Sequence, residues 1–354
     1  MTLASLVLLA ALAAAQGTAA VEVELLSSQP CRSLSVEGPG GRHDVALGAG
    51  GLLLDGRATG TPLRLPSGRW RVRVPAPAER TFSGALELRS DAQRLRIVAR
   101  LALEDYVAWT VASETSPGAP AEALRAQAVV ARSYAMAAGR RHPDVDLCDL
   151  AHCQVLRGGM DPAHLDAARR AAQATRGEVL RLASGRIALA VFHAACGGHT
   201  GDPAEVFGGE GTGAAAVPDD GCAPHPWRAT ISTAIFEGVA AERLGGAALP
   251  EGLEWRIGRG GYVVQVALGA AVAGGEAFAR ALDARLGHRA VRSARFAART
   301  AAGAVRLEGT GLGHGVGLCQ AGAARRAAAG ASHREILAHY FPGARLSRLP
   351  PKGR

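Results

Sequence analysis

Short segments that alternate apolar and polar residues fill the chain from Val21 to Ala99, and this alternation constrains the fold more than any other feature. Strings such as VEVELL, RWRVRVP and RLRIVARLAL follow one another, separated by Gly, Pro and Ser clusters. A period of two points successive side chains to opposite faces of a strand, so each string predicts a half-buried β-strand. Residues 21–100 are therefore expected to form a β-rich scaffold of antiparallel strands.

Near Leu103 the pattern changes, and from about Ala121 apolar residues recur at helical spacing among further short strands. The strings EVLRL, IALAVFHAA and GYVVQVAL still predict strands. Strands and helices mix without a regular β–α–β alternation, so the predicted fold class is α+β, with mixed helices and antiparallel strands in two lobes around a cleft. The predicted helices cover about residues 121–140, 162–175, 235–244, 276–286 and 334–340.

The first 20 residues resemble a secretory signal peptide. An apolar run from Leu3 to Ala15 precedes small residues, which predicts cleavage near Ala15 or Ala20, although no Lys or Arg precedes the run. The run is short for a membrane span, which needs ~20 apolar residues. We expect an exported bacterial protein, periplasmic or associated with the cell wall, with no transmembrane span in its mature form; the alternative is an unprocessed N-terminal strand or anchor.

The formal charge of +9 narrows the classes of partner. A basic surface suits nucleic acid, an anionic membrane or an acidic polysaccharide. No clustered basic and aromatic motif indicates nucleic acid, and no glycine-rich stretch carries a dinucleotide or phosphate-loop fingerprint. We therefore expect no nucleic-acid partner and no organic cofactor. An anionic glycan is a candidate partner if the active site supports it, and a solvated surface with no charged partner is the alternative.

A local cluster of Cys and His residues predicts structural zinc. Two thiols and two imidazoles lie within 12 residues in the string HPDVDLCDLAHC, and zinc prefers four tetrahedral nitrogen and sulfur ligands. The alternative is a disulfide across a short loop between the two cysteines, with incidental histidines. The residues concerned are His142, Cys148, His152 and Cys153.

The string HAACGGHT raises a second question about cysteine chemistry. Cys196 lies between two histidines, which is one arrangement for a thiol nucleophile. Cys222 follows downstream and offers a disulfide partner in an oxidising compartment, and the CGG string indicates a tight turn. The disulfide Cys196–Cys222 is the favoured interpretation.

Two further residues have both structural and functional interpretations. His314 lies among alternating glycines in GTGLGHGVGLCQAGA, which predicts backbone packed close to a ligand or another segment, or a buried structural histidine. Glu114 precedes a loop marked by Pro117, Gly118 and Pro120. It is either a first-turn carboxylate stabilised by a helix N-terminus, which would lower its pKa, or a general acid whose desolvation raises it.

An ordered set of motifs closely resembles the SpoIID/LytB family of sporulation protein D and amidase enhancers. The motifs are LEDYVAWTVASETSPGAPAEALRAQAVVARSYA, CDLAHCQVL, FHAACGGHT, PDDGCAPHPW and GTGLGHGVGLCQAGA followed by EILAHYFPG. The resemblance covers about residues 101–349, which implies a catalytic or glycan-binding domain there. It implies a lytic transglycosylase that cleaves peptide-stripped peptidoglycan to 1,6-anhydromuramyl products.

The resemblance also implies roles for individual residues. Glu114, in the family's ASE motif, is implied to be the catalytic general acid and base, and Arg125 and Arg132 match basic positions of the cleft. His314 and Gln320 are implied to support the substrate cleft, and zinc-containing members are similar at the four Cys and His positions. The family leaves two alternatives, a non-enzymatic glycan-binding enhancer of a cell-wall amidase and a purely structural exported domain.

Overall fold

The structure is a computed structural model that describes residues 20–350, apart from Pro77, Ala92, Glu210 and His288. The predicted signal peptide lies outside the described residues, except for Ala20. The chain forms two compact units, each assembled from separate stretches of sequence. Among the described residues, unit 1 comprises residues 20–119, 138–178 and 348–350, and unit 2 comprises residues 120–137 and 179–347.

The α-helices are α1 (Leu103–Glu114), α2 (Ala121–Ala138), α3 (Pro162–Ala174), α4 (Pro203–Phe207), α5 (Thr233–Leu244), α6 (Gly275–Leu286), α7 (Gln320–Ala328) and α8 (His333–Tyr340). The strands of the first half are β1 (Ala20–Leu25), β2 (Ser33–Gly38), β3 (Gly41–Gly48), β4 (Gly51–Leu54), β5 (Arg57–Thr59), β6 (Leu63–Val74), β7 (Ala78–Ser90), β8 (Leu95–Ala102), β9 (Leu147–Cys148) and β10 (Glu178–Leu182). The others are β11 (Phe192–His193), β12 (Pro226–Ser232), β13 (Glu254–Ile257), β14 (Val263–Leu268), β15 (Ala271–Gly274), β16 (Phe296–Ala301), β17 (Ala304–Thr310), β18 (Leu318–Cys319) and β19 (Ala344–Arg348).

Unit 1 is built on one large sheet with the strand order β5-β4-β3-β2-β6-β7-β8-β1-β9. The neighbours are antiparallel except for β1 and β9, which pair in parallel at the edge. Alternate residues of the long strands are buried, as Trp70, Val72 and Val74 show in β6. The antiparallel scaffold predicted for residues 21–100 is thus present.

Helix α1 follows β8 without a loop and is buried almost all round. Tyr106, Val107 and Val111 are inaccessible to solvent, and α1 packs against α3. Helix α3 begins with a side-chain cap, because Asp161 Oδ1 accepts the His164 N–H at 2.8 Å. A helix that is buried over most of its surface belongs in a core, so α1 is a central element of unit 1.

Unit 2 contains two antiparallel three-stranded sheets, β12-β17-β16 and β13-β14-β15. Helices α5 and α6 pack beside them over an aromatic core that includes Trp227, Phe236, Tyr262, Phe278 and Phe296. A second buried cluster joins residues of α2, α7 and α8 to β18. Short pairs complete the unit, β11 with β18 in parallel and β10 with β19.

The predicted α+β class is confirmed, and the predicted helices are present with shifts of a few residues at their ends. One predicted strand is wrong: residues 187–195 form only the two-residue β11, because their backbone bonds go largely to separate loops, as Leu189 N to Gly211 O illustrates. The compact units also divide the chain differently from the predicted segments 21–100 and 101–349. Among the described residues, no helix is both long and apolar enough to span a membrane.

Candidate active site and metal centre

Glu114 is the last residue of α1 and not a first-turn residue of the helix that follows. The helix-cap interpretation of Glu114 is therefore wrong. The lowered pKa that this interpretation predicted is not expected either, because a helix C-terminus carries negative partial charge and disfavours an anion. The α1 helix ends here because Thr115 turns to an extended conformation, while its N–H and hydroxyl both bond to Val111 O.

A loop of unit 1, residues 154–157, is fastened to the last two turns of α1. Glu114 Oε1 accepts the Val155 N–H at 2.6 Å, and Ser113 Oγ accepts the Arg157 N–H at 2.9 Å. Trp109 Nε1 donates to Arg157 O at 2.7 Å. The side chain of Glu114 is thus oriented by backbone atoms, which a side-chain substitution in the loop leaves in place.

Burial raises the pKa of Glu114 above its ordinary value of 4.5, against the opposing effects of the Val155 N–H and the Arg157 charge. The carboxyl is partly buried, and the negative end of the α1 dipole acts in the same direction as burial. Desolvation prevails over hydrogen bonding, as a general acid requires.

Directly before this loop, four metal-ligating side chains of unit 1 converge. Their ligand atoms all lie within 4.8 Å of one another. His142 Nε2 lies 3.3 Å from Cys153 Sγ, and His152 Nε2 lies 3.2 Å from Cys148 Sγ. Ligands around one tetrahedral zinc ion would be separated by about 3.5 Å for nitrogen and sulfur, so the spacing fits.

The donor set also fits the electronic needs of zinc. The Cys148 thiol lowers the pKa of Cys153 to about 5, and His142 adds to this effect, so one thiolate is already favoured. The sulfurs of Cys148 and Cys153 are unbonded in the structure. Two imidazoles therefore join two thiols in one cluster, an arrangement that a disulfide between the cysteines would not require.

Only one residue separates the candidate metal cluster from the backbone amide that contacts the candidate acid, Glu114. Cys148 lies in β9, which pairs with β1, and Cys153 is followed directly by Gln154 and Val155. Gln154 Oε1 accepts the Tyr106 hydroxyl at 2.6 Å, so this residue too is tied to α1. The sequence did not indicate Gln154 or Val155, because nothing in their residue types marks a backbone contact to Glu114.

The predicted substrate residues Arg125 and Arg132 lie on α2 in unit 2 and differ in exposure. Arg125 is 39 % exposed and forms an ion pair with Glu122, whose other oxygen accepts the His333 N–H. Arg132 is completely buried and donates to Ala128 O at 3.4 Å. A ligand can approach Arg125 without rearrangement of its own helix, whereas contact with Arg132 requires its surroundings to move.

His314 and Gln320 also lie in unit 2, where both contact other parts of that unit. Val316 N donates to His314 Nδ1 at 3.1 Å, and the ring packs at 5.6 Å from that of His193. Burial lowers the pKa of His314 to about 3, and His193 acts in the same direction, so the imidazole is neutral at ordinary pH. Gln320 Nε2 donates to Gln127 Oε1 at 3.4 Å. Their substrate roles stay predictions.

The glycines around His314 allow another segment to approach closely, as the sequence predicted. Gly315 has φ +79°, and a Cβ built there would lie 2.1 Å from Cζ of Tyr262. Tyr262 in turn donates its hydroxyl to Cys196 O at 3.2 Å. The glycine-rich loop is therefore packed onto the core of unit 2.

Gly315→Ala is expected to destabilise unit 2 by ~1–3 kcal/mol or more, because alanine would combine positive-φ strain with a clash. Urea unfolding followed by Trp fluorescence measures this loss. Gly330→Ala is the matched control, since Gly330 has φ +95° but open space around its Cβ position. Equal losses in the two variants would show that the Tyr262 contact contributes nothing.

The predicted Cys196–Cys222 disulfide stays a prediction, because these sulfurs are close but unbonded. The CGG turn is present, with φ +71° at Gly197 and +111° at Gly198. Two residues that the sequence analysis did not connect with this pair, Asp219 and Cys319, lie in the same cluster.

Comparison with known proteins supports the resemblance. Residues 91–182, which contain α1, the cysteine and histidine cluster and α3, match the SpoIID family, described as stage II sporulation protein. The chain is also 30 % identical over 261 residues to an uncharacterized protein of Brachyspira hyodysenteriae, an alignment covering 70 % of this chain and 67 % of that relative. The chain belongs to the SpoIID family, whose members are associated with sporulation and the cell wall.

Proposed function

We propose that the protein is an exported lytic transglycosylase that cleaves peptide-stripped peptidoglycan strands, with Glu114 as general acid and base. The observation that carries the proposal is the position of Glu114. Its carboxyl lies partly buried at the C-terminus of α1, with a raised pKa and with Oε1 held by the Val155 N–H. A carboxyl that holds its proton more tightly than usual, in a fixed orientation, is suited to protonate a glycosidic oxygen.

The reaction proceeds in two proton transfers through one carboxyl group. Glu114 donates its proton to the glycosidic oxygen while the bond from that oxygen to the muramic C1 breaks, through an oxocarbenium-like transition state. The muramic 6-hydroxyl then closes on C1, and the Glu114 carboxylate takes the hydroxyl proton.

In this proposal zinc acts as a structural ion. His142, Cys148, His152 and Cys153 would hold it, and four protein ligands leave no open position for water or substrate. When bound, the ion cross-links the chain on either side of β9. The loop that follows Cys153 donates the Val155 N–H to the Glu114 carboxyl and the Arg157 N–H to Ser113 Oγ.

The net charge of +9 agrees with an anionic glycan as partner. Peptide-stripped strands expose one muramic carboxylate per disaccharide, and guanidinium groups bind carboxylates well. Arg125 is the accessible candidate for such a contact, whereas Arg132, His314 and Gln320 are retained as predicted support for the substrate. A cell-wall amidase remains a candidate partner.

Product analysis tests the proposal. The secreted form is incubated with peptide-free glycan strands, and the products are identified by mass spectrometry. We expect 1,6-anhydromuramyl ends. Strands that stay intact while the protein sediments with them would contradict the enzyme and favour the amidase enhancer. Ordinary reducing ends in place of anhydro ends would indicate hydrolysis and would contradict the intramolecular step.

The pH dependence of cleavage is expected to follow the raised pKa of Glu114. The acid form is active, so the rate falls as pH rises through this pKa, and burial places that fall above the ordinary value of 4.5. Arg157→Gln removes an exposed charge that lowers the pKa, while the backbone bonds of residue 157 remain. The falling limb of kcat/KM should therefore move to higher pH, and an unchanged limb would exclude Glu114 as the titrating acid.

A further inference from the structure

A second group of metal-ligating side chains lies in unit 2, apart from the cysteine and histidine cluster of unit 1. Three sulfurs and a carboxylate oxygen lie within 4.8 Å of one another. All four side chains are buried, with exposures of 3 % or less. The residues, referred to below as the Cys3Asp cluster, are Cys196, Asp219, Cys222 and Cys319.

Three separate segments of unit 2 bring these residues together. Cys196 follows β11, Cys319 ends β18, and these two strands pair in parallel. Asp219 and Cys222 share a tight turn in which the Cys222 N–H donates to Asp219 O at 2.8 Å. The Asp219 N–H donates to Gly198 O, which fastens that turn beside the CGG turn.

Two backbone amides are directed at the sulfur of Cys319, which therefore acts as a hydrogen-bond acceptor. Cys319 Sγ accepts the N–H groups of Cys196 and Gly322, each at 3.3 Å. The second of these makes Cys319 the cap of α7, at the positive end of its dipole. A neutral thiol is a weak acceptor, so two N–H donors on the one sulfur of Cys319 are more typical of a metal-bound thiolate.

The carboxylate of the cluster is supported in the way that metal-ligating carboxylates are. Tyr340 donates its hydroxyl to Asp219 Oδ2 at 2.7 Å, and Arg326 lies 3.4 Å from Oδ1. A Cβ at position 322 would lie 2.1 Å from Oδ2, so glycine is needed there for the carboxylate to approach. Such partners orient a ligand and balance its charge.

We propose that Cys196, Cys222, Cys319 and Asp219 bind a second, structural zinc ion. Cys196 Sγ lies 3.3 Å from Asp219 Oδ2, close to the ~3.5 Å expected for sulfur and oxygen ligands of one tetrahedral zinc. Three thiolates form a soft ligand set, which zinc and few other biological cations prefer. The compact spacing suits one ion. Asp219 would complete its four ligands and leave no position open for water.

This proposal replaces the predicted Cys196–Cys222 disulfide. A disulfide uses two cysteines and leaves Cys319 as an unpaired thiol beside an oxidised pair, with a buried carboxylate next to it. A zinc ion uses all three sulfurs and gives Asp219 a cation in addition to Arg326. The bound ion would fix the glycine-rich loop that carries His314, because that loop ends at Cys319.

The test measures metal in full-length mature protein produced in medium containing zinc or cobalt. We expect two metal ions per chain, one for each cluster. Cys148→Ser removes the ion of unit 1 and should leave one. In the cobalt form of this variant, the remaining ion should show tetrahedral ligand-field bands and intense thiolate-to-cobalt charge transfer.

Variants of the Cys3Asp cluster then identify the ligands. Combined with Cys148→Ser, Asp219→Asn retains an oxygen that can accept the Tyr340 hydroxyl, but should shift the cobalt bands and lower the affinity at least tenfold. Cys31→Ser is the control, since Cys31 belongs to neither cluster and its loss should leave both ions.

If Cys148→Ser protein binds neither metal, the proposal fails, whether mass spectrometry finds a Cys196–Cys222 disulfide or three reduced thiols. The Cys148→Ser measurement itself leaves the Cys3Asp cluster intact, so a folding defect in the Asp219 variant would not obscure the result.

Discussion

Glu114→Gln is expected to lower the rate of 1,6-anhydromuramyl product formation by ~10²–10⁴-fold, the usual contribution of general acid–base catalysis. The amide oxygen of glutamine can still accept the Val155 N–H, so the α1 terminus and the loop at residues 154–157 should be retained. Glycan binding should therefore survive while cleavage is lost. Mass spectrometry of the products and sedimentation with insoluble glycan measure the two effects separately.

Stability should change in the opposite direction to activity. Because the folded-state pKa of Glu114 is raised, the protein loses stability as pH rises through that pKa, and the neutral glutamine avoids this loss. Urea unfolding at several pH values should show Glu114→Gln to be at least as stable as the parent above that range. A variant that both unfolds more easily and loses cleavage would indicate a structural role for Glu114.

Glu276→Gln is the matched control for this experiment. Glu276 is also a largely buried glutamate, and burial raises its pKa to about 7, but it lies on α6 and is assigned no chemical role. The same chemical change there should leave the cleavage rate within about twofold of the parent. Equal losses of activity in the two variants would refute the assignment of the acid to Glu114.

Removal of the zinc ion proposed for unit 1 is expected to reduce cleavage about 10–100-fold, because the loop that orients the acid would loosen. The reason is that the Val155 hydrogen bond to the carboxyl, of a kind worth ~1.5–3 kcal/mol, depends on the loop that follows Cys153. Cys148→Ser should lose one metal ion and lower the midpoint of thermal unfolding. Metal analysis, thermal unfolding and product formation are measured on the same preparation.

Cys148→His provides the rescue for this second prediction. Histidine is a zinc ligand, so the rescued variant should regain the metal and most of the activity. Cys31→Ser, which removes a cysteine outside the cluster, should behave like the parent. A Cys148→Ser protein that lacks the ion and retains full activity would show that the metal does not position Glu114.

The cysteine and histidine cluster of unit 1 could be predicted because its members are close in sequence. The four members of that cluster span only residues 142–153, so chain connectivity alone keeps them near one another. The β-rich scaffold could be predicted for a similar reason, since alternation is a local property of each strand. Alternation also shows which face of each strand is buried, as in β6.

Other features depend on tertiary contacts that no local pattern reveals. Helix α1 is buried over most of its surface, so its sequence has almost no helical periodicity, and Glu114 was placed in the wrong part of a helix. The contact between Glu114 and Val155 joins residues 41 positions apart. Cys319 lies 123 positions from Cys196, so the Cys3Asp cluster becomes visible only when β11 and β18 pair.

The division of unit 1 into three stretches has a consequence for the order in which the molecule can be completed during synthesis. The stretch that ends at Ala119 contains Glu114 but neither β9 nor the loop that donates to its carboxyl. Those parts emerge only after the first stretch of unit 2, residues 120–137, has been made. A nascent chain therefore carries Glu114 long before its carboxyl is oriented. A chain cut at the predicted boundary between residues 100 and 101 would give one fragment that lacks Glu114 and one that contains Glu114 but lacks the large sheet of unit 1.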